Sequence, residues 1–205
     1  MLEKPGFSFF ERFRRLLSAA FLAVCMAIAL FTGRSWAAGG AADRAFELGG
    51  AALVVLGVSG RLWATMYIGG RKNAELVKDG PYSMCRNPLY LFSFVSGLGV
   101  CLEFENLLLL AVFATAFSVY YPFVIRSEEI RLAGRFGAAF ARFREETPAF
   151  FPRLSRLRFG VPDYSPRLMW KNLLDGSIFL LFIPAAYIIV RLQDSGVIPV
   201  YLRIP

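Results

Sequence analysis

Histidine is missing altogether from the 205 residues of this chain. Its absence removes the side chain best suited to general acid and base work near neutral pH, and with it the commonest zinc ligand. A metal site would have to be assembled from scattered cysteines and carboxylates, and none is expected. Cysteine is nearly as scarce. Cys25, Cys85 and Cys101 are odd in number and two of them fall in apolar runs, which excludes a disulfide framework. Acidic residues are outnumbered 15 to 23 by lysine and arginine, for a net charge of +8. Long polar stretches are lacking too. With 57% hydrophobic residues gathered in blocks and a mean hydropathy of +0.52, the composition excludes an ordinary soluble domain and points to an integral membrane protein.

The blocks predict an all-α protein with about five transmembrane helices: Leu16 to Gly33, Phe46 to Ile68, Leu89 to Phe104, Leu107 to Ile125 and Leu173 to Val190. The third is short and the fifth opens on Asp175-Gly176, so these two are the spans that could tilt, re-enter or lie partly in the interface. The positive charge follows the membrane rather than a nucleic acid, and no nucleic-acid partner is expected. With a cytoplasmic N-terminus, 18 of the 23 basic residues lie on one side. Arg34, Arg44, Arg191 and Arg203 lie on the other, and Arg61 falls within a span. The positive-inside rule therefore orients the chain with its N-terminus in the cytoplasm, and the excess charge attracts anionic headgroups.

Phe7, Phe9, Phe10 and Phe13 alternate with Glu11, Arg12, Arg14 and Arg15, the composition of a short interfacial helix. Ser35 to Gly39 raises the alternative of a cleavable signal peptide, although four further spans need none. Arg61 near the end of the second span admits two readings, a buried carboxylate partner such as Glu128 or Glu129, or snorkelling to the interface. Glu103 to Asn106 is so short that the third and fourth spans must form an antiparallel hairpin. Beyond the fourth span, Leu132, Phe136, Phe140 and Phe143 recur at helical spacing among charged residues, predicting a cytoplasmic amphipathic helix that Gly134 and Gly137 could kink.

The most specific stretch is Glu75 to Tyr90. Gly80-Pro81 and Asn87-Pro88 punctuate it as an ordered loop, and Tyr82, Arg86 and Tyr90 place a cation and two phenols at the mouth of the next apolar run. Such a cluster can hold a small charged molecule, or it can simply anchor a membrane protein at the headgroups.

Together these pieces resemble the isoprenylcysteine carboxyl methyltransferase and phospholipid N-methyltransferase superfamily. The likeness is carried by Gly-Pro-Tyr-x-x-x-Arg-Asn-Pro-x-Tyr at Gly80 to Tyr90, Gly97-x-Gly99, and Glu-Glu-x-x-Leu-x-x-x-Phe-Gly-x-x-Phe at Glu128 to Phe140. Arg61-Leu62-Trp63-Ala64 and Pro152 fit the same pattern, so that the resemblance covers roughly Gly49 to Leu154. It implies a membrane-embedded enzyme that binds S-adenosylmethionine and methylates a lipid or lipidated acceptor arriving from the bilayer. It implies cofactor contacts from Tyr82, Asn87, Pro88, Tyr90, Gly97, Gly99, Glu128 and Glu129. Arg86 is the candidate for orienting an anionic acceptor, and Arg61 for supporting the acidic pair. Many relatives have histidine where this chain has Asn87, so an amide hydrogen bond replaces that contact.

Residues 1–160 then form the methyltransferase core with its N-terminal arm, and 161–205 an appended linker and helix that covers a lipid entrance or contacts a partner. A bacterial inner membrane, with the cofactor site on the cytoplasmic side, is the expected location. Two other classes compete: a nicotinamide-dependent enzyme of the sterol-reductase type, which shares the fold, and a non-catalytic membrane adaptor.

Overall fold

In the computed structural model, residues 6–36, 38–69, 74–162 and 166–204 are described. The fold is a helical bundle of membrane type. Helix α1 (Gly6–Phe31) runs into strand β1 (Thr32–Arg34), and α2 (Ala41–Ile68) returns. A loop holding the single turn α3 (Pro81–Met84) leads to α4 (Pro88–Glu103), α5 (Leu107–Phe136) and α6 (Ala138–Glu146). The chain then passes through a short 3-10 turn (Leu154–Arg156) into α7 (Pro166–Asp194) and strand β2 (Leu202–Ile204). Each of the five expected apolar runs falls on a helix. Three helices, Ala41–Ile68, Leu107–Phe136 and Met169–Asp194, are long and apolar enough to cross a membrane, and Ala19–Phe31 and Pro88–Glu103 are shorter apolar helices.

The seam between α2 and α4 is made of bare backbone. A methyl group on Gly57 would lie 2.6 Å from the carbonyl oxygen of Phe92, and one on Gly99 would lie 2.7 Å from that of Gly50. Lipid tails are as apolar as leucine, so close packing of small residues, not hydrophobic contrast, draws such helices together. Val54 is wholly enclosed in this seam. By contrast Val119, Phe123, Leu174, Leu181 and Ile188 point outward from α5 and α7. That surface would be costly in water and is suited to lipid.

Two boundaries differ from those read in the sequence. The aromatic and basic arm is no separate helix but the first turns of α1, which continues unbroken into the apolar stretch. Likewise α5 runs on past the expected end of its span to Phe136, because no proline or glycine interrupts Arg126 to Ala133. The break comes at Gly137, whose φ of +49° only glycine adopts readily. Beyond it α6 buries Phe140 and Phe143.

At the end of the bundle where α1 meets α2, a parallel pair forms in which Thr32, Gly33 and Arg34 align with Leu202, Arg203 and Ile204. Arg34, almost fully buried, contacts Asp43 of α2, Glu105 of the α4–α5 turn and, at 2.7 Å, Asp194 of α7. Trp36 Nε1 also donates to Glu105 at 3.1 Å. Gln193 Nε2 donates to the carbonyls of Ala29 and Leu30 at 3.0 and 2.9 Å, satisfying groups that the end of α1 leaves open. The segment from 166 onward is thus tied to α1 and α2, and α7 packs along both α2 and α4.

Candidate functional site

At the opposite end, α2, the α2–α4 connection, α5 and α6 enclose a cavity of about 520 Å³. Its size lies in the range that accommodates a nucleoside-sized ligand. Local chemistry explains the shape of its loop wall. Gly80 takes φ +58° with Tyr67 so close that a methyl group there would lie 2.5 Å from the ring. Pro81 then opens α3, and Ser83 Oγ donates to the carbonyl of Gly80 at 2.6 Å. Pro88 opens α4 in the same way, at the position where a missing N–H costs a helix nothing.

The segment after α6 laces this loop from below. Arg86 N donates to Pro148 O at 2.9 Å, Arg153 N to Met84 O at 3.1 Å and Gly80 N to Arg158 O at 2.7 Å. Asn87 Nδ2 donates to Ala149 O at 3.0 Å, so part of its amide is spent on holding the loop. These bonds fix the loop without any regular secondary structure.

Tyr82, Arg86, Asn87, Pro88, Tyr90, Glu128 and Arg61 all line the cavity. They come from three segments of the chain. Tyr82 is buried and its hydroxyl has no partner among the described residues. Burial, reinforced by nearby Cys85, Tyr90 and Glu128, pushes its pKa up, so it remains a neutral phenol able to donate a hydrogen bond. Cys85 next to it is fully enclosed, and burial raises its thiol to about 11. A thiol so placed is inert as a nucleophile.

Glu129 stands behind the cavity rather than in it. Arg86 donates to its Oε1 from Nε at 2.9 Å and from Nη2 at 2.6 Å. The same guanidinium donates from Nη1 to the carbonyl of Arg144 at 2.8 Å and to that of Thr147. One side chain therefore joins the loop, α5 and the end of α6. Of the two readings of Arg61, a carboxylate partner or snorkelling, the carboxylate partner is not found among the described residues. Glu129 is held by Arg86 and Glu128 by Arg131 at 2.5 Å, while Arg61 donates to Ser93 Oγ. The support expected of Arg61 for the acidic pair is supplied by Arg86.

Gly97 and Gly99 lie farther along α4, about 10 Å or more beyond Tyr90 at the helical rise. Gly97 faces the ring of Phe113 and borders a second, apolar cavity of about 170 Å³; Gly99 sits in the α2 seam. Neither borders the larger cavity. Two residues that do, Ser93 and Tyr121, are absent from the expected set. Tyr121 packs edge-on against Tyr90 at 5.3 Å and stacks on Phe117 at 3.6 Å between ring centroids. Helical spacing contained the signal for both: Tyr121, Glu128 and Leu132 stand at i, i+7 and i+11, and Ser93 is one turn beyond Tyr90.

The donor set fits S-adenosylmethionine. An orphaned buried hydroxyl, a cavity carboxylate and two tyrosine rings match hydroxyl, ammonium and sulfonium groups, the last attracted by aromatic faces. Among the described residues, no group of three or more histidine, cysteine, aspartate or glutamate side chains is arranged to hold a metal ion.

Comparison with known proteins bears on this arrangement. The chain is 50% identical over 105 residues to the nickel-cobalt-cadmium resistance protein NccN of Alcaligenes xylosoxydans xylosoxydans, covering 51% of this chain and 49% of that protein. It is 51% identical over 110 residues to the cobalt-zinc-cadmium resistance protein CzcN of Cupriavidus metallidurans, covering 52% and 50% respectively. The chain thus spans about half the length of these relatives. No solved structure matches it. Residues 48–139, which supply α2, the loop and the α5 wall of the cavity, match the family model for phospholipid methyltransferases, in agreement with the superfamily that the loop and paired-glutamate motifs resemble.

Proposed function

We propose that the chain is a membrane methyltransferase that uses S-adenosylmethionine to methylate a lipid or lipidated acceptor reaching the 520 Å³ cavity from the bilayer. One observation carries the reading: Tyr82, Asn87 and Tyr90 of one short stretch and Glu128 of α5 border one cavity in which the Tyr82 hydroxyl has no partner among the described residues. Bound there, the cofactor would supply an electrophilic methyl group on a positively charged sulfur.

Each wall then has a task. Tyr90 and Tyr121 present aromatic faces that favour a cation. Glu128 accepts hydrogen bonds from an ammonium or from ribose hydroxyls, and Tyr82 donates one. Phe143 and Leu132 close the cavity with apolar surface that keeps water from the reacting atoms. Arg86 and Glu129 act as a positioning pair that holds the loop wall against α5 and α6. A carboxylate acceptor needs no base, whereas a protonated amine must first lose a proton. Without histidine, the carboxylates bordering the cavity, Glu75 and Glu128, are the groups that could take it. The bias of the basic residues supports a cytoplasmic face for this end of the bundle, the side on which the soluble cofactor is found.

For the relatives, resistance to nickel, cobalt, zinc or cadmium is the named property. On the present reading this chain would serve such a role by modifying an acceptor. Calorimetry on purified protein separates the classes. S-adenosylmethionine should bind and NADPH should not, and Glu128→Gln should weaken the binding about tenfold or more by removing a charge-assisted bond. Binding of NADPH alone would replace the proposal with a reductase, and binding of neither would leave an adaptor.

A further inference from the structure

The Arg61 guanidinium lies within the α2 span, borders the cavity and faces no paired carboxylate. Its Nη1 donates to Ser93 Oγ, and the Ser93 hydroxyl proton is already given to the carbonyl of Leu89 at 2.6 Å. Its Nε is buried with no partner. The side-on fork of Nε and Nη2 therefore carries no protein acceptor among the described residues, although arginine cannot shed its charge. Among the described residues, none of the surrounding acids bonds to Arg61. Glu129 is bonded to Arg86 and Glu128 to Arg131, while Asp175 of α7, exposed, acts on Arg61 only through space. Tyr121 is the other group whose field it feels, and a phenol is neutral near pH 7.

We propose that this fork binds the anionic head, carboxylate or phosphate, of an amphiphilic acceptor whose tail remains in the bilayer. The proposal rests on the methyltransferase reading for the word acceptor, but the anion site itself does not. A planar fork matches either anion in two places, which a lone ammonium cannot do. The position of the site favours an amphiphile. Arg61 lies within the apolar span, about two helical turns of α2 before Ile68, a depth that a headgroup can reach while its tail stays among lipid-facing helices. Arg86, its donors committed to Glu129 and two carbonyls, is poorly placed for the same task.

The test uses the full chain in a neutral detergent, with oleate, oleyl phosphate and oleyl alcohol as probes beside acetate and inorganic phosphate. Calorimetry on the unaltered protein should show at least one anionic amphiphile binding tenfold or more tightly than oleyl alcohol. Arg61→Gln should bring it down to the level of the alcohol while leaving S-adenosylmethionine affinity unchanged, and Arg61→Lys should give an intermediate loss. Equal binding of oleate, oleyl phosphate and oleyl alcohol by the unaltered protein would overturn the proposal even if no variant folded. Acetate or phosphate binding as tightly as the amphiphiles would overturn the lipid source. Failure of S-adenosylmethionine to bind, with Arg61-dependent oleate binding intact, would sink the methyltransferase reading and not this site.

Discussion

Two arginines border the same cavity and do different work, and their hydrogen bonds explain why. Arg86 spends Nε, Nη1 and Nη2 on one carboxylate and two carbonyls drawn from three elements. The side chains of Arg86 and Glu129 are only 10% and 14% exposed, so loss of either leaves its partner poorly solvated. Arg86→Lys keeps the charge but offers a single compact ammonium to acceptors placed for a planar fork. It should cost about 2 kcal/mol of stability, from hydrogen bonds to a charged group, and S-adenosylmethionine affinity should fall with it as the loop wall loosens. Thermal unfolding beside calorimetry checks this. A variant that melts like the parent yet loses methyl transfer alone would instead give Arg86 the acceptor-orienting role that the sequence suggested.

Among elements, the α2–α4 pair is the frame on which the site is built, since α2 supplies Arg61 and α4 begins at the Asn87-Pro88 corner. Their approach depends on glycine. The neighbours that a side chain at Gly99 would meet are the Val54 N–H nitrogen at 2.6 Å and the Gly50 carbonyl oxygen at 2.7 Å, backbone atoms that cannot swing aside. Gly99→Ala should therefore separate the helices at a cost of about 2 kcal/mol, the usual size of an overpacking penalty. A lowered midpoint in a reversible unfolding assay in detergent would show it. S-adenosylmethionine binding should weaken only as far as the frame shifts, because Gly99 does not border the cavity. Selective loss of cofactor affinity in a protein of unchanged stability would return Gly99 to the cofactor site.

At the scale of the whole molecule the two ends of the bundle differ in kind. One is sealed by Arg34 among Asp43, Glu105 and Asp194, with the β1–β2 pair beside it, and the other opens into the cavity. On the proposed orientation, with the basic-rich side inward, the cavity end faces the cytoplasm. Cysteine introduced at exposed Ala139 should then react with an impermeant maleimide only in inverted vesicles, and cysteine at exposed Ala42 only in intact cells. Of the native thiols Cys85 and Cys101 are buried, and the half-buried Cys25 is replaced by serine in the background used for labelling. The reverse labelling pattern would overturn the orientation and the cytoplasmic entry of the cofactor.

Much of this was legible in the residues themselves. Apolar runs mark where the five long helices lie because a run of apolar side chains is suited to lipid whatever it packs against. Gly80-Pro81, Asn87-Pro88 and Gly137 mark turns because their backbone limits are local. The loop motif and the family resemblance together named Tyr82, Arg86, Asn87, Pro88 and Tyr90, and these border the cavity, as do Arg61 and Glu128 from outside the loop. What each polar group bonds to was decided only in three dimensions. Arg61 and Arg86 carry the same charge and both precede the paired glutamates by a long stretch of chain, yet Glu129 goes to Arg86 because helix α5 turns that carboxylate toward the loop. Arg34 meets Asp194 across 160 positions, and Leu202 pairs with Thr32, through contacts that no local periodicity encodes. Gly97 and Gly99 look alike in sequence and the family resemblance implied cofactor contacts for both, whereas in the fold Gly97 faces Phe113, Gly99 faces α2, and neither borders the larger cavity. Apolar burial and turn chemistry are properties of a short segment. The partner of a buried charge depends on which distant segment the fold brings to it.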